Sequence, residues 1–236
     1  MMRRTLCLAL AALLLILARQ AVAEEEVYIP PERLVCARLL APPPALDSSE
    51  QKQDMDTVAA LQRQRTPAQE AQVRADAEYS VFRFADVLGP QAFTSEKLPA
   101  TARLFKKVKR DVSAILAPAK ATWNRPRPFV TNPDIHPCVD PPKGDSYPSQ
   151  HSTFGTVTAI VLANMVPEKA AEIHGRGERF RQNRVIAGVH YPSDVAGGRI
   201  VGSMLAAFLF QDPQFLADFA QARDETRAAL GLAAGN

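Results

Sequence analysis

Cysteine is scarce in this chain, with three residues in 236, and aromatic residues make up 7% with one tryptophan. No Cys/His spacing matches a zinc-ligand pattern; no cofactor is expected. Beyond the N-terminus no apolar run reaches spanning length, because the most apolar later stretches are interrupted by Asn164 and Arg199. Nothing alternates with a two-residue period for long, which argues against a sheet, and no internal repeat is visible.

What is present begins with a leader pattern: Arg3 and Arg4, an apolar run from Leu6 to Ala18, then Ala21-Val22-Ala23 as a small-x-small cleavage site. That run of about 13 residues is shorter than the roughly 20 needed to span a bilayer. Residues 1–23 are therefore expected to be removed on export, leaving a soluble periplasmic or secreted protein without a membrane anchor. Their loss takes away Arg3, Arg4 and Arg19, so the 28 basic residues fall to match the 25 acidic ones. The mature chain then has no basic footprint for nucleic acid or an anionic membrane. Its oligomeric state is left open.

Cys7 leaves with the leader, and Cys36 and Cys138 remain as an even pair in an oxidising compartment. A disulfide between them is the expectation, closing a loop of about 100 residues worth about 4 kcal/mol. Two buried free thiols are the alternative.

Residues 24–46 contain Pro30-Pro31 and Pro42-Pro43-Pro44 and should run as an extended, polyproline-like arm. From residue 47 onward helix signals dominate. Asp47 or Ser48 can cap a helix to about Arg65, and Thr66-Pro67-Ala68-Gln69 is a capping box opening a second helix toward Leu88. From Ala100 to about Trp123 apolar residues recur at three- and four-residue steps, with Lys106, Lys107, Lys109 and Arg110 on what reads as a solvated face. Residues 124–148 are too rich in proline for a helix or a central strand and read as a long ordered loop. Helices should follow over Ser149–Met165, Pro167–Ala187, Pro192–Phe210 and Pro213–Leu230, the last capped by Asp212 and ended by Gly231. The expected fold is all-α: a single helical-bundle domain over 47–236 with an extended proline-rich N-terminal arm.

Three segments concentrate groups suited to phosphoryl transfer: Lys120 followed by Arg127-Pro128, then Tyr147-Pro148-Ser149-Gln150-His151, then Arg184, His190 and Asp194. Taken singly, each has a plain structural explanation: surface charge for Lys120 and Arg127, a helix cap for Ser149, a satisfied core histidine for His151, an ion pair for Arg184 with Asp194. Together they supply different parts of one function. Ser149 and Gln150 open a helix whose free N–H groups and positive dipole end suit an anion. Arg127 and Arg184 can each grip two phosphate oxygens, and Lys120 adds a point charge.

The ordered triplet K-x6-RP, PSxH and R-x5-H-x3-D resembles the soluble branch of the type-2 phosphatidic acid phosphatase superfamily, especially the bacterial class A non-specific acid phosphatases. Leu40-Ala41-Pro42-Pro43-Pro44, Gly144-Asp145-Ser146-Tyr147-Pro148-Ser149 and Arg184-Val185-Ile186-Ala187-Gly188-Val189-His190 extend the similarity over most of residues 38–210. The resemblance implies a helical, metal-independent acid phosphatase acting on small phosphate monoesters through a phosphohistidine. On matching positions His190 would be the nucleophile, Asp194 its orienting carboxylate and His151 the general acid and base. Lys120, Arg127, Ser149, the Gln150 backbone N–H and Arg184 would hold phosphate.

Two positions depart from the family pattern. Gln150 stands where glycine is usual, putting a side chain beside the phosphate cradle and disfavouring positive φ, and Asn183 stands where serine usually precedes the arginine. His136, among Asp134, Cys138 and Asp140, is set aside as a metal loop, and His174 is read as exposed. The rival functions are a vanadium-dependent haloperoxidase-like enzyme, a lipid phosphate phosphatase, and a non-catalytic phosphate-binding protein.

Overall fold

The computed structural model describes residues 27–233. The expected leader, with Cys7, and the first residues of the arm lie outside them. Seven helices of eight residues or more organise the described part: α1 Ser49–Gln64, α2 Pro67–Ala75, α3 Pro99–Trp123, α4 Gln150–Met165, α5 Ala170–Ile186, α6 Pro192–Leu209 and α7 Pro213–Ala229. Among the described residues there is no strand, so the all-α expectation holds.

Helix α4 is the hub. Its residues are buried on nearly every side, from Ser152 to Met165, and α5 and α6 pack along it. The α4–α6 approach is close because Gly198 and Gly202 carry no side chain. A Cβ at Gly198 would stand 2.5 Å from the Ser149 carbonyl oxygen, and one at Gly202 2.5 Å from that of Thr153. This contact pins the start of α4, where Ser149 sits, against the start of α6, where Asp194 sits. Helix α3 lies across the bundle with α7 against it, burying Leu104, Phe105, Val108, Val112, Ile115 and Leu116.

Local signals set the ends of these helices. Ser48 accepts from the Gln51 N–H, Thr66 and Gln69 form the reciprocal capping box, and Asp212 accepts from the Phe215 N–H. Gly231, at φ +68°, follows α7.

The structure corrects four expectations, the smallest being that the stretch 124–148 is not loop throughout but holds one helical turn at Pro128–Thr131. Helix α2 stops at Ala75 instead of reaching Leu88. Asp76 turns inward there: its carboxylate accepts from Arg176 at 2.6 Å and Asn183 at 2.7 Å, a buried pairing that an exposed continuing helix would forfeit. Short turns at Val81–Phe84 and Ala85–Leu88 follow.

The N-terminal arm is not wholly extended, since Pro31–Arg33 forms a 3-10 turn and Cys36–Leu39 a short helix. Proline is compatible with a first helical turn, which is the place Pro31 takes. The arm's Tyr28, Ile29, Leu34, Cys36 and Leu40 are buried in the main core. Cys36 and Cys138 are both free thiols, not a disulfide. Cys36 packs in the core beneath α3, its Sγ 3.7 Å from the Ile115 carbonyl oxygen, whereas Cys138 belongs to a separate cluster with Val73, Ala187 and Val189.

No single helix among the described residues is long and apolar enough to cross a membrane.

Candidate active site

Three chain breaks between helices deliver the site. At the end of α3, Asn124 takes a left-handed conformation (φ 44°) and stops the helix, turning the chain into Arg125-Pro126-Arg127-Pro128. At the start of α4, Ser149 caps the helix by accepting from the Ser152 N–H at 3.3 Å. Before α6, Pro192 takes the first helical position and leaves His190 outside the helix.

These segments converge on a cavity of about 400 Å³ whose wall includes Lys120, Arg127, Gln150, His151, Arg184 and His190. Two predicted residues are not in the wall: Ser149 is buried as the helix cap, and Asp194 is buried behind His190. Tyr79, Lys143, Gly144 and Asp145 also line the cavity, and sequence spacing does not single them out.

His190 is held from both edges. Nδ1 lies 3.2 Å from Oδ2 of Asp194, which also accepts from the Tyr191 N–H at 2.9 Å. Nε2 lies 3.2 Å from Nη1 of Arg127. A carboxylate accepts and a guanidinium donates, so both partners require the same neutral tautomer, with hydrogen on Nδ1 and the lone pair on Nε2. Burial, then the charges of Arg127, Lys120 and Arg184, holds the His190 imidazole well below the ordinary histidine range.

The cations are positioned by main-chain carbonyls. Lys120 donates to the Asp145 carbonyl at 2.6 Å, and Arg127 donates to those of Gly144 and Val189 at 2.8 Å each and of Asp145 at 3.2 Å. Burial and the neighbouring Arg127 push the Lys120 ammonium down to about 8 and the Arg184 guanidinium down to about 10. Arg184 is buried, and its Nε and Nη1 have no hydrogen-bond partner among the described residues. Buried donors of this kind are costly unless something accepts from them, and an oxyanion in the cavity would.

His151 packs between Tyr79 and Phe180, with ring centroids 4.9 and 5.8 Å away, and its Nε2 is 3.3 Å from the Ala77 carbonyl oxygen. Burial and the charge of Arg184 hold it well below the ordinary range. Gln150 is the first residue of α4, so its backbone is helical and no positive φ is called for. Its side-chain amide turns away along the wall and donates to Ser113 Oγ on α3 at 2.9 Å. Asn183 donates to Asp76 and so takes a structural place behind the cavity.

The pattern also leaves out Arg125. Its guanidinium reaches Asp194 Oδ1 at 2.5 Å, Gln51 Oε1 at 2.5 Å, Asp54 Oδ2 at 2.9 Å and Ser193 Oγ at 2.7 Å, and it lies 4.1 Å from the Tyr191 ring centroid. The doubled Arg-Pro of residues 125–128 is the signal that marks both arginines as held in extended backbone.

A profile of the PAP2 superfamily matches residues 111–217, the stretch that carries all three segments. An acid phosphatase of Zymomonas mobilis is 34% identical over 201 residues, covering 80% of this chain and 75% of the relative. A non-specific acid phosphatase of Salmonella typhimurium is 32% identical over 223 residues, covering 89% and 88%. A decaprenylphosphoryl-5-phosphoribose phosphatase of Mycobacterium tuberculosis is 32% identical over 105 residues, covering 41% and 52%. The similarity to the two acid phosphatases runs along most of both chains, and the matched profile spans the three segments that line this cavity: the chain belongs to the PAP2 superfamily.

Proposed function

We propose that this protein is an exported acid phosphatase that hydrolyses phosphate monoesters through a phosphohistidine at His190, without a metal ion. The observation that carries the reading is the double hold on His190, in which Asp194 and Arg127 both select the tautomer with its lone pair on Nε2. The export part of the proposal rests on the leader pattern alone.

In the first step Nε2 attacks phosphorus, the bond from phosphorus to the ester oxygen breaks, and the charge developing on the ring is balanced by the Asp194 carboxylate. Lys120, Arg127, the unpartnered donors of Arg184 and the N–H groups at the start of α4 meet the equatorial oxygens. They supply the positive charge that a divalent ion brings to other phosphoryl-transfer sites. Ser149 acts through the helix it caps.

His151 gives a proton to the leaving alkoxide. The Ala77 carbonyl can only accept, so Nε2 of His151 keeps its hydrogen and Nδ1 is the position that gains and loses a proton. A bound phosphate dianion offsets the repulsion from Arg184 and so favours the protonated ring. In the second step the same nitrogen takes a proton from water, which attacks the phosphohistidine and releases inorganic phosphate.

Rapid quench of the purified protein with labelled phosphate ester tests this. The expected result is an acid-labile, alkali-stable phosphoenzyme, absent from His190→Ala, with steady-state activity unchanged after dialysis against chelator. Label recovered on serine, or activity restored only by a divalent ion, would overturn the mechanism.

A further inference from the structure

We propose that Asp76, paired with Arg176 behind the cavity, is a positioning residue for the general acid: the pair clamps the connection after α2 so that the Ala77 carbonyl holds His151 in one tautomer. This rests on the phosphatase reading above and adds to it a residue that touches neither phosphate nor leaving group.

Between α2 and the turn at Val81–Phe84 the chain has no regular structure to hold it. Instead its two ends meet on one nitrogen. Arg176 Nη2, on α5, donates to Asp76 Oδ1 at 2.6 Å and to the Arg83 carbonyl oxygen at 2.8 Å. Arg83 Nε closes the loop on the same Asp76 oxygen at 3.2 Å, and Asn183, farther along α5, donates to Oδ2 at 2.7 Å. Asp76 and Arg176 are both fully buried. A buried ion pair adds little net stability, because desolvation offsets the attraction, but its directional bonds fix geometry.

The clamped connection presents two groups to the same side chain. Ala77 follows Asp76 directly, and its carbonyl oxygen lies 3.3 Å from His151 Nε2. Tyr79 packs its ring on the imidazole with centroids 4.9 Å apart. The other ring against His151 is Phe180 of α5, 5.8 Å away, and the Arg176 guanidinium lies 5.7 Å from the centre of that ring. One ion pair thus borders both walls of the histidine.

Helix α4 fixes where the His151 backbone stands, but which ring nitrogen carries hydrogen is set by the acceptor the ring meets. A carbonyl only accepts, so Nε2 keeps its hydrogen and Nδ1 is left to exchange a proton with the leaving oxygen. If the connection slackens, that selection is lost. The phosphate side of the cavity is held separately, since Lys120 and Arg127 are placed by the carbonyls of Gly144, Asp145 and Val189. Arg184 feels the Asp76 charge as a favourable one, so removing that charge leaves it more, not less, receptive to an anion. The clamp therefore serves protonation of the leaving group in particular.

The test uses Asp76→Asn in the full chain, with kcat/KM for an alkyl phosphate and for nitrophenyl phosphate and with inhibition by inorganic phosphate. The ratio kcat/KM reports transfer to His190, in which an alkoxide must be protonated as it leaves whereas nitrophenolate departs without a proton. The alkyl value should fall about 100-fold, the scale of a general-acid contribution, and the aryl value by no more than about threefold. Phosphate inhibition should not weaken. Equal losses on the two esters, or no loss on the alkyl ester, overturn the assignment and leave the phosphatase reading intact. Should Asp76→Asn fail to fold, Asn183→Ala removes only the donor to Oδ2 and should show the same split at smaller size; equal losses there overturn the proposal too. If the wild type hydrolyses neither ester, it is the phosphatase reading that fails, and nitrogen NMR of His151 still reads the clamp. The hydrogen should sit on Nε2 in the wild type and be shared between the two nitrogens in the variant, and an unchanged tautomer would overturn the proposal.

Discussion

Arg125 and Asp194 form a buried ion pair, Nη1 to Oδ1 at 2.5 Å, on the side of the carboxylate that does not face His190. Burial raises the Asp194 carboxyl above its ordinary value, and Arg125 is the chief influence opposing that rise. Asp54 of α1 and Ser193, also in contact with each other, complete the arrangement, so α1 braces the residue that braces the proposed nucleophile.

Two variants separate the roles of this pair. In Asp194→Asn the amide no longer selects the Nδ1–H tautomer, and kcat should fall on the order of 10⁴-fold with the fold retained. In Arg125→Gln a buried carboxylate loses its charge partner, which should cost about 3–5 kcal/mol in urea unfolding and lower kcat without a matching rise in KM. Arg125→Lys should recover only part of either loss, since an ammonium cannot reproduce the planar fork that meets Asp194, Ser193, Asp54 and Gln51. A folded Arg125→Gln protein with normal kcat would remove Arg125 from the proposed positioning role.

The direction of the His190 shift gives a titration that can be read by NMR. Because burial and then Arg127 and Lys120 disfavour the imidazolium, the ring should stay neutral, with hydrogen on Nδ1, at pH 6 in the free protein. Lys120→Gln removes one repelling charge and should move the titration upward, toward the ordinary value of 6.5. The same shift has a stability consequence. A histidine whose folded-state value is depressed contributes stability that is present above its unfolded value and lost as pH falls toward the folded one. Melting temperature should therefore fall as pH drops below about 6.5, and phosphate should restore part of it. A His190 titration at or above 6.5 would contradict the geometry described.

Legibility from sequence divides along the range of the interaction responsible. The ends of α1, α4 and α7 are readable because the caps Ser48, Ser149 and Asp212 act within one turn, and α3 and α6 are readable from apolar periodicity and from Pro192 at the first helical position. The cavity's Lys120, Arg127, His151, Arg184 and His190 were readable because they lie in compact segments with characteristic spacing. The break after Ala75 was not, because it depends on Asp76 meeting Arg176 and Asn183 about a hundred positions away. Arg125 was missed for the same reason, since its partners Gln51, Asp54 and Asp194 come from α1 and α6. The Cys36–Cys138 expectation came from counting, and counting carries no information about which cluster each thiol joins.

The N-terminal arm is joined to α3 through Asp111, whose carboxylate accepts from the Ile29 N–H at 3.3 Å while its Oδ2 has no hydrogen-bond partner among the described residues. Burial pushes this carboxyl up to about 7. A carboxyl raised in the folded state contributes stability that is full below the unfolded value, 3.8, and is lost as pH rises through the folded one. Asp111→Asn removes that dependence while keeping an acceptor for Ile29. The melting temperature of the variant relative to wild type should thus increase from pH 5 to pH 8. A difference that is constant across this range would mean that Asp111 does not titrate there.

Gln150 offers the sharpest test of how the cavity chooses among esters. Its backbone N–H belongs to the free first turn of α4, and glycine retains that donor, so inhibition by inorganic phosphate should change little in Gln150→Gly. Its side chain forms part of the wall next to His151, anchored to Ser113 Oγ, beside the space a leaving group would take if His151 protonates it. Removing it should raise kcat/KM for bulky esters on the order of tenfold, about 1.4 kcal/mol of transition-state stabilisation, with a smaller gain for small esters. The variant should be slightly less stable, by up to about 1 kcal/mol, because glycine is a poor helix former and the link to Ser113 is lost. Parallel kinetics on a small and a bulky phosphate ester, with phosphate inhibition measured alongside, decide the matter. If phosphate affinity falls together with the rates, or if both esters respond equally, the glutamine side chain is part of the phosphate cradle and not a wall beside it.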